Sequence, residues 1–465
     1  MFKRYLILLT TTAIFAWAQL PQAIEDIIYN AKASRDNLSI LITKKSNREV
    51  IASLNPYSSF SPASVAKVAT CYAALLELGK DFRWPTQIFY SGKIKGGILY
   101  GDLIIKAYGD PSLTSYNLSL FAKKLASYGI KEIKGDMIID RGFFVNSQKI
   151  SSGFDKNFVS QYNSMPDAIM INDHLNTITI TPKPNKIAVT AANGDKSFRI
   201  INKIKPVNSR CRGANAWPRV RFLKDNGSVG VSLEGSLSTK CKPFKINRVL
   251  SKPYMSFYYI FSHFLNKKGV KFGGALKLAS TPKGAKLFFT HYSRPLIKLI
   301  AHTLKKSDNL YARHIFLLLG AKKYGYPATL QKSQNAIHDI LEPRDLLSSS
   351  DVIVNGSGLS RKSKLSAISI SKILDDAYDN FGQEWLNALS IAGVDGTLKK
   401  RFRYSPVKNR AFMKTGTLKR AKNIAGFVKG RSSNLYNTVV LYNGAKIWLG
   451  KSIQDKIITW LVTKN

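Results

Sequence analysis

The feature that most limits how this chain can fold is a change of texture at about Trp84 that reverses at about Ala279. Before it, the spacing predicts a short helix over 24–33, strands over 38–42 and 49–52 joined by a polar turn, and a helix that runs from Ser61-Pro62 to Leu78, with Gly79 closing it. In that last helix Ser61 reads as a hydroxyl cap and Pro62 as the first helical position. Between the two limits the segments are short, β-rich and broken by Gly, Pro, Asn and Asp, as at 101–105, 135–139 and 177–181. Helical spacing then returns at 295–306, 309–319 and 365–380, followed by strands at 411–415, 424–428 and 438–442 and an amphipathic stretch at 453–462.

Helices and strands at both ends around a β-rich block predict an α/β (α+β) domain made from the two chain ends and interrupted by an insertion. The pattern places the outer domain at 19–83 and 280–465 and the inserted domain at 84–172 and 249–279. A smaller nested domain, with Cys211 and Cys241, falls at 173–248. A length of 465 residues suits two or three domains. No internal repeat or low-complexity segment interrupts this reading.

The first 18 residues order a basic start (Met1-Phe2-Lys3-Arg4), an apolar run and the small-x-small site Ala16-Trp17-Ala18. That is the pattern of a secretory signal peptide, with cleavage expected after Ala18. Lys and Arg number 71 against 28 Asp and Glu, a formal net charge of +43. Such a field draws a protein to polyanions. In an exported chain it points to anionic envelope polymers and headgroups, not nucleic acid. Cys71 lies in apolar helical spacing and reads as a buried thiol, whereas Cys211 and Cys241 would be free to pair in an oxidising compartment. Sequence alone cannot supply the Cα separation that a bridge requires.

Three short motifs carry chemistry. Ser64 and Lys67 form S-x-x-K on the first turn of a helix, with both side chains on one face at i and i+3. A neutral lysine there can take the serine proton, and the free N–H groups of the turn favour developing negative charge. Alone the motif means little, because this composition supplies about three by chance. Ser307-Asp308-Asn309 stands between two helical patterns; its hydroxyl can relay a proton and its amide can hold a substrate amide, while the same tripeptide serves equally as a helix N-cap. Lys414-Thr415-Gly416-Thr417 extends an apolar strand, where glycine admits a close backbone approach and lysine also serves as an edge-strand guard. The two later motifs occurring together, in order behind the first, amount to about a one-in-a-hundred coincidence. The six histidines lack H-x-x-x-H spacing, and neither G-x-S-x-G nor a P-loop occurs, so no metal or cofactor is expected.

This set resembles the penicillin-recognising serine enzymes, whose signature is S-x-x-K, S-x-N and K-T-G. The segments around Phe60-Ser61-Pro62-Ala63-Ser64, His291-Tyr292-Ser293-Arg294-Pro295-Leu296, Asn355-Gly356-Ser357-Gly358-Leu359-Ser360-Arg361 and Gly393-Val394-Asp395-Gly396-Thr397-Leu398 narrow the likeness. They resemble the D-alanyl-D-alanine carboxypeptidase/endopeptidase family, the class C low-molecular-mass penicillin-binding proteins. Lys67 and Ser307 lie 240 residues apart, which suits that family's insertion and is too long for a plain β-lactamase.

The resemblance implies a serine β-lactamase/transpeptidase-like domain that acts on peptidoglycan peptides through an acyl-enzyme and is inhibited by β-lactams, without a cofactor, in the periplasm or another extracytoplasmic part of the envelope. It implies that Ser64 is acylated and Lys67 is its base. Ser307 and Asn309 would serve proton transfer and amide binding, Lys414 would supply positive charge, and Thr415, Gly416 and Thr417 would hold the substrate carboxylate. The oxyanion would be met by the N–H groups of Ser64 and Thr417. A site for the substrate side chain is expected near Gly135-Asp136-Met137-Ile138-Ile139-Asp140, with Asp140 and Arg361 as its candidates. Arg141 and Arg313 depart from the family's usual residues. Two rivals remain open at this stage: a non-catalytic basic envelope-binding protein, and a β-lactamase.

Overall fold

A computed structural model describes residues 20–464 except 148, 226 and 227. The two chain ends meet in a six-stranded antiparallel sheet. Its order is Ser390–Ile391, Ala411–Leu418, Ala421–Lys429, Leu435–Asn443, Leu38–Lys44 and Val50–Leu54. Strand periodicity of two divides the side chains between its faces. Ile40, Ile42, Met413, Ile424 and Val440 pack against the Gln22–Asn30 and Ile447–Lys464 helices. Leu41, Ala425, Phe427, Val439 and Leu441 pack against a helical layer that includes Lys67–Leu78, Leu296–Lys306, Asn309–Tyr324 and Ala367–Ala388. Both faces are covered, so the strands read as near-continuous apolar runs.

The inserted segment contains more helix than the sequence reading expects. A five-stranded sheet (Leu276–Leu278, Met137–Asp140, Leu103–Ala107, Pro85–Tyr90, Lys286–Tyr292) and a four-stranded one pack against helices Ser115–Ser127 and Pro253–Lys267. The second of these is rich in Tyr and Phe, residues that favour strands, yet Phe257, Ile260, Phe261 and Phe264 recur at helical spacing and share one buried core. Helix Leu330–Leu341 is likewise absent from the sequence reading. Beyond residue 279, Lys286–Tyr292 pairs antiparallel with Pro85–Tyr90 and so joins the same sheet as Leu103–Ala107 and Met137–Asp140. Two three-stranded sheets between Asn176 and Arg248 enclose a separate small core, including Ile178, Val231 and Leu233. Cys211 and Cys241 are bridged there with Cα atoms 5.1 Å apart.

Cys71 is buried and free, and burial pushes its thiol up to about 12, which leaves it protonated and inert. The first 18 residues lie outside the described region. Among the described residues, no helix is long and apolar enough to cross a membrane.

Candidate active site

The turn that presents Ser64 is built differently from the expected cap. Ser61 makes no side-chain cap; its N–H donates to Asn443 Oδ1 at 2.7 Å, and its carbonyl accepts from Asn423 Nδ2 at 2.8 Å. Two sheet strands therefore hold the chain just before Ser64. Residues Ala63–Ala66 form a 3₁₀ turn that leads into the Lys67–Leu78 helix, and Gly79 closes that helix with φ 76°. Ala63 has φ +47°, a left-handed conformation that costs a non-glycine residue about 1–2 kcal/mol. The surrounding contacts hold it there. A Cβ on Gly358, itself at φ +73°, would lie 1.8 Å from the Ala63 carbonyl oxygen, and one on Gly416 would lie 2.8 Å from the Pro62 oxygen. The glycine of the third motif thus makes room for the serine turn itself. Gly358→Ala should displace the Ala63-Ser64 peptide and slow acylation about 100-fold, since misplacing a reacting group by about 1 Å costs that much. A labelling time course with a fluorescent penicillin checks this.

Lys67 is fully buried, and its Nζ has three oxygens within reach: Ser64 Oγ at 2.9 Å, Asn309 Oδ1 at 2.7 Å and the Ser357 carbonyl at 2.5 Å. Asn309 Oδ1 and the Ser357 carbonyl only accept, so they engage two N–H groups. A neutral amine then has its lone pair left for the Ser64 hydroxyl proton. Burial, followed by the nearby Lys414 charge, holds Lys67 well below the ordinary lysine range, against a smaller opposing pull from Asp308. Lys414, also fully buried, donates to Ser307 Oγ at 2.8 Å and to the Thr415 carbonyl at 2.7 Å, and burial lowers it to about 7.

The second motif caps a helix through Asp308 and places Ser307 and Asn309 against the two buried lysines. Asp308 is the N-cap and accepts from the N–H groups of Leu310 and Tyr311. Ser307 takes a left-handed conformation at φ 56° where two helices meet. Asn309 faces Lys67 with its oxygen and donates its Nδ2 to the Tyr162 carbonyl at 3.2 Å. Thr415 Oγ1 donates to Thr397 Oγ1 at 2.9 Å, and Thr417 Oγ1 accepts from Lys422 at 3.1 Å.

Ser64, Ser307, Asn309 and Thr417 open onto one cavity of about 790 Å³, and Arg361 lines it with them. Asp140 does not. Its carboxylate accepts from Thr281 N and Oγ1 at 2.9 and 2.7 Å, and it lines a separate cavity with Arg141 and Lys252. Arg141 is absorbed nearby, 3.1 Å from Asp167 and over the Tyr254 ring. The insertion reaches the Ser64 cavity through Phe154, Asp155 and Tyr162 instead. Arg361 lies over the Phe154 ring, 4.6 Å from its centroid. Burial alone would raise the Asp155 carboxyl, but hydrogen bonds from Asn157 N, Tyr162 and Asn163 hold it below its ordinary value. Sequence reasoning missed Asp155, and it missed the carbonyls of Tyr162 and Ser357, because a backbone oxygen leaves no residue-type signal.

The arrangement is a serine with a fully buried lysine amine against its hydroxyl, and a second buried lysine beyond a second serine. The model of the D-Ala-D-Ala carboxypeptidase 3 (S13) family matches residues 20–464. The chain belongs to that family. It is 27% identical over 416 residues to D-alanyl-D-alanine carboxypeptidase DacB of Haemophilus influenzae, covering 88% of this chain and 85% of that one. A D-alanyl-D-alanine carboxypeptidase of an Actinomadura species is 23% identical over 437 residues, 90% of this chain and 80% of that one. The crystal structure of penicillin binding protein 4 (dacB) from H. influenzae matches with a TM-score of 0.78 at 25% identity, over 94% of this chain and 99% of that one. The S13 chain described here is a serine-type D-Ala-D-Ala carboxypeptidase with the fold of penicillin-recognising serine hydrolases.

Proposed function

We propose that this enzyme cleaves the D-Ala-D-amino acid bond of peptidoglycan peptides by acylating Ser64. The observation that carries the assignment is Lys67 Nζ, buried 2.9 Å from Ser64 Oγ with two obligate acceptors occupying its hydrogens. Lys67 takes the Ser64 proton, and Oγ attacks the scissile carbonyl carbon. The developing oxyanion is met by the N–H groups of Ser64 and Thr417. Ser307, bound to Lys414, relays a proton to the departing amine. Asn309 orients the substrate amide, while Lys414, Thr415 and Thr417 hold its terminal carboxylate and Gly416 keeps the floor of the site open. Water then releases the acyl group. Arg361 and Asp155, of opposite charge on one cavity wall, suit a substrate side chain that ends in both an amine and a carboxylate.

We further propose a peptidase unit built from both chain ends, with the inserted unit extending to Tyr292, and a periplasmic or other extracytoplasmic location. The N-terminal signal pattern and the Cys211–Cys241 bridge support export. The net charge of +43 supports adhesion to anionic envelope polymers.

Purified protein should label covalently with a fluorescent penicillin and convert muropeptide pentapeptides or cross-linked dimers. Folded wild-type protein that fails to label, or that converts neither substrate, would overturn acylation of Ser64 as the route.

A further inference from the structure

One helical turn beyond Asn309, the same face of the Asn309–Tyr324 helix carries Arg313. Arg313 is only 5% exposed. Its Nη1 donates to the Ser164 carbonyl at 2.6 Å, but its Nε is buried and, among the described residues, has no hydrogen-bond partner. No carboxylate pairs with it among those residues, and burial is what pulls its guanidinium down to about 10. A buried, uncompensated guanidinium is costly unless an anion meets it.

Arg313 lines a cavity of about 590 Å³ whose walls include Val145, Met165, Leu317 and Leu330. That size falls within the range of small-molecule sites, about 300–1,000 Å³, and a mostly apolar lining with one charged group is their usual composition. The cavity lies between the insertion and the helical layer. It also touches Asn355, whose Oδ1 accepts from Ser357, the residue whose carbonyl holds Lys67.

We infer that this cavity is a second binding site, distinct from the Ser64 cavity, for an amphipathic carboxylate: an apolar chain among Val145, Met165, Leu317 and Leu330, with its carboxylate on the unpartnered Nε edge of Arg313. With Nη1 engaged by Ser164, the remaining edge of the guanidinium is a planar fork that matches two carboxylate oxygens. An occupant would contact both the Met165 side, next to the segment that Asn309 grips, and Asn355, which supports the Ser357 turn.

The test is isothermal titration of octanoate, with octylamine as the cationic match, into the full-length protein, Arg313→Met and Leu330→Trp. Leu330 is 49% exposed at the cavity, so a tryptophan there fills the space and leaves Arg313 in place. Wild type should bind octanoate and not octylamine, and each variant should bind octanoate at least tenfold more weakly. Leu330→Trp should still label with penicillin at the wild-type rate. If Arg313→Met fails to fold, Leu330→Trp alone decides. Absence of octanoate binding to wild type, equal binding of octylamine, or unchanged affinity in Leu330→Trp would overturn the assignment.

Discussion

Ser64→Ala should abolish penicillin labelling and lower peptide hydrolysis by about 10⁴-fold or more, some 5.5 kcal/mol of transition-state stabilisation. The substitution removes only the hydroxyl. The neighbourhood that positions it stays intact, because the turn is held by Asn423 and Asn443 through the backbone of Ser61 and by close packing against Gly358 and Gly416. The variant should therefore melt near the wild-type temperature and still bind a D-Ala-D-Ala peptide. Covalent label on Ser64→Ala, read by intact-protein mass spectrometry, would place the nucleophile elsewhere.

The second large effect concerns the two buried lysines. As the proposed base for Ser64, Lys67 would act only when neutral. Its value lies below the ordinary lysine range, so kcat/KM should rise with pH through that lowered value. Lys414 contributes positive charge, and with a value of about 7 it should lose that charge as pH rises, which puts a falling limb on the alkaline side. Because the Lys414 charge is one cause of the low Lys67 value, Lys414→Met should shift the rising limb to higher pH and abolish the falling one. Lys67→Met should lower kcat/KM by about 10²–10⁴-fold across the range, the usual worth of a general base. It would also leave Asn309 Oδ1 and the Ser357 carbonyl without their donor, at about 1–3 kcal/mol each, so its melting point must be measured beside its activity. A pH profile of kcat/KM that is flat from about pH 5 to 9 in wild type would contradict both roles.

Much of this is legible in the amino-acid sequence. Apolar spacing locates the helix that follows Ser64, the helix that carries Asn309 and the strand that carries Lys414, because an outer unit with a sheet covered on both faces writes its periodicity strongly. The insertion was harder. Its helices Ser115–Ser127 and Pro253–Lys267 are mixed with strand-favouring residues, and helix formation there depends on a shared aromatic core that forms only when distant segments meet. The side-chain site failed for a related reason. Asp140 lies in a Gly-Asp segment, but its Oδ2 is taken by Thr281, far along the chain, and its Oδ1 by the Gly142 N–H, whereas Asp155 in a loop faces the cavity.

By itself, then, the sequence determined residue types and order: a serine and a lysine three apart on a helical turn, a serine and an asparagine at a helix junction, and a lysine and a glycine on a strand. Tertiary structure alone decided the protonation chemistry. Burial draws both lysines below the ordinary lysine range, Lys414 to about 7, and the Lys414 charge lowers Lys67 further; a sheet and a helical layer drawn from opposite ends of the chain create that buried setting.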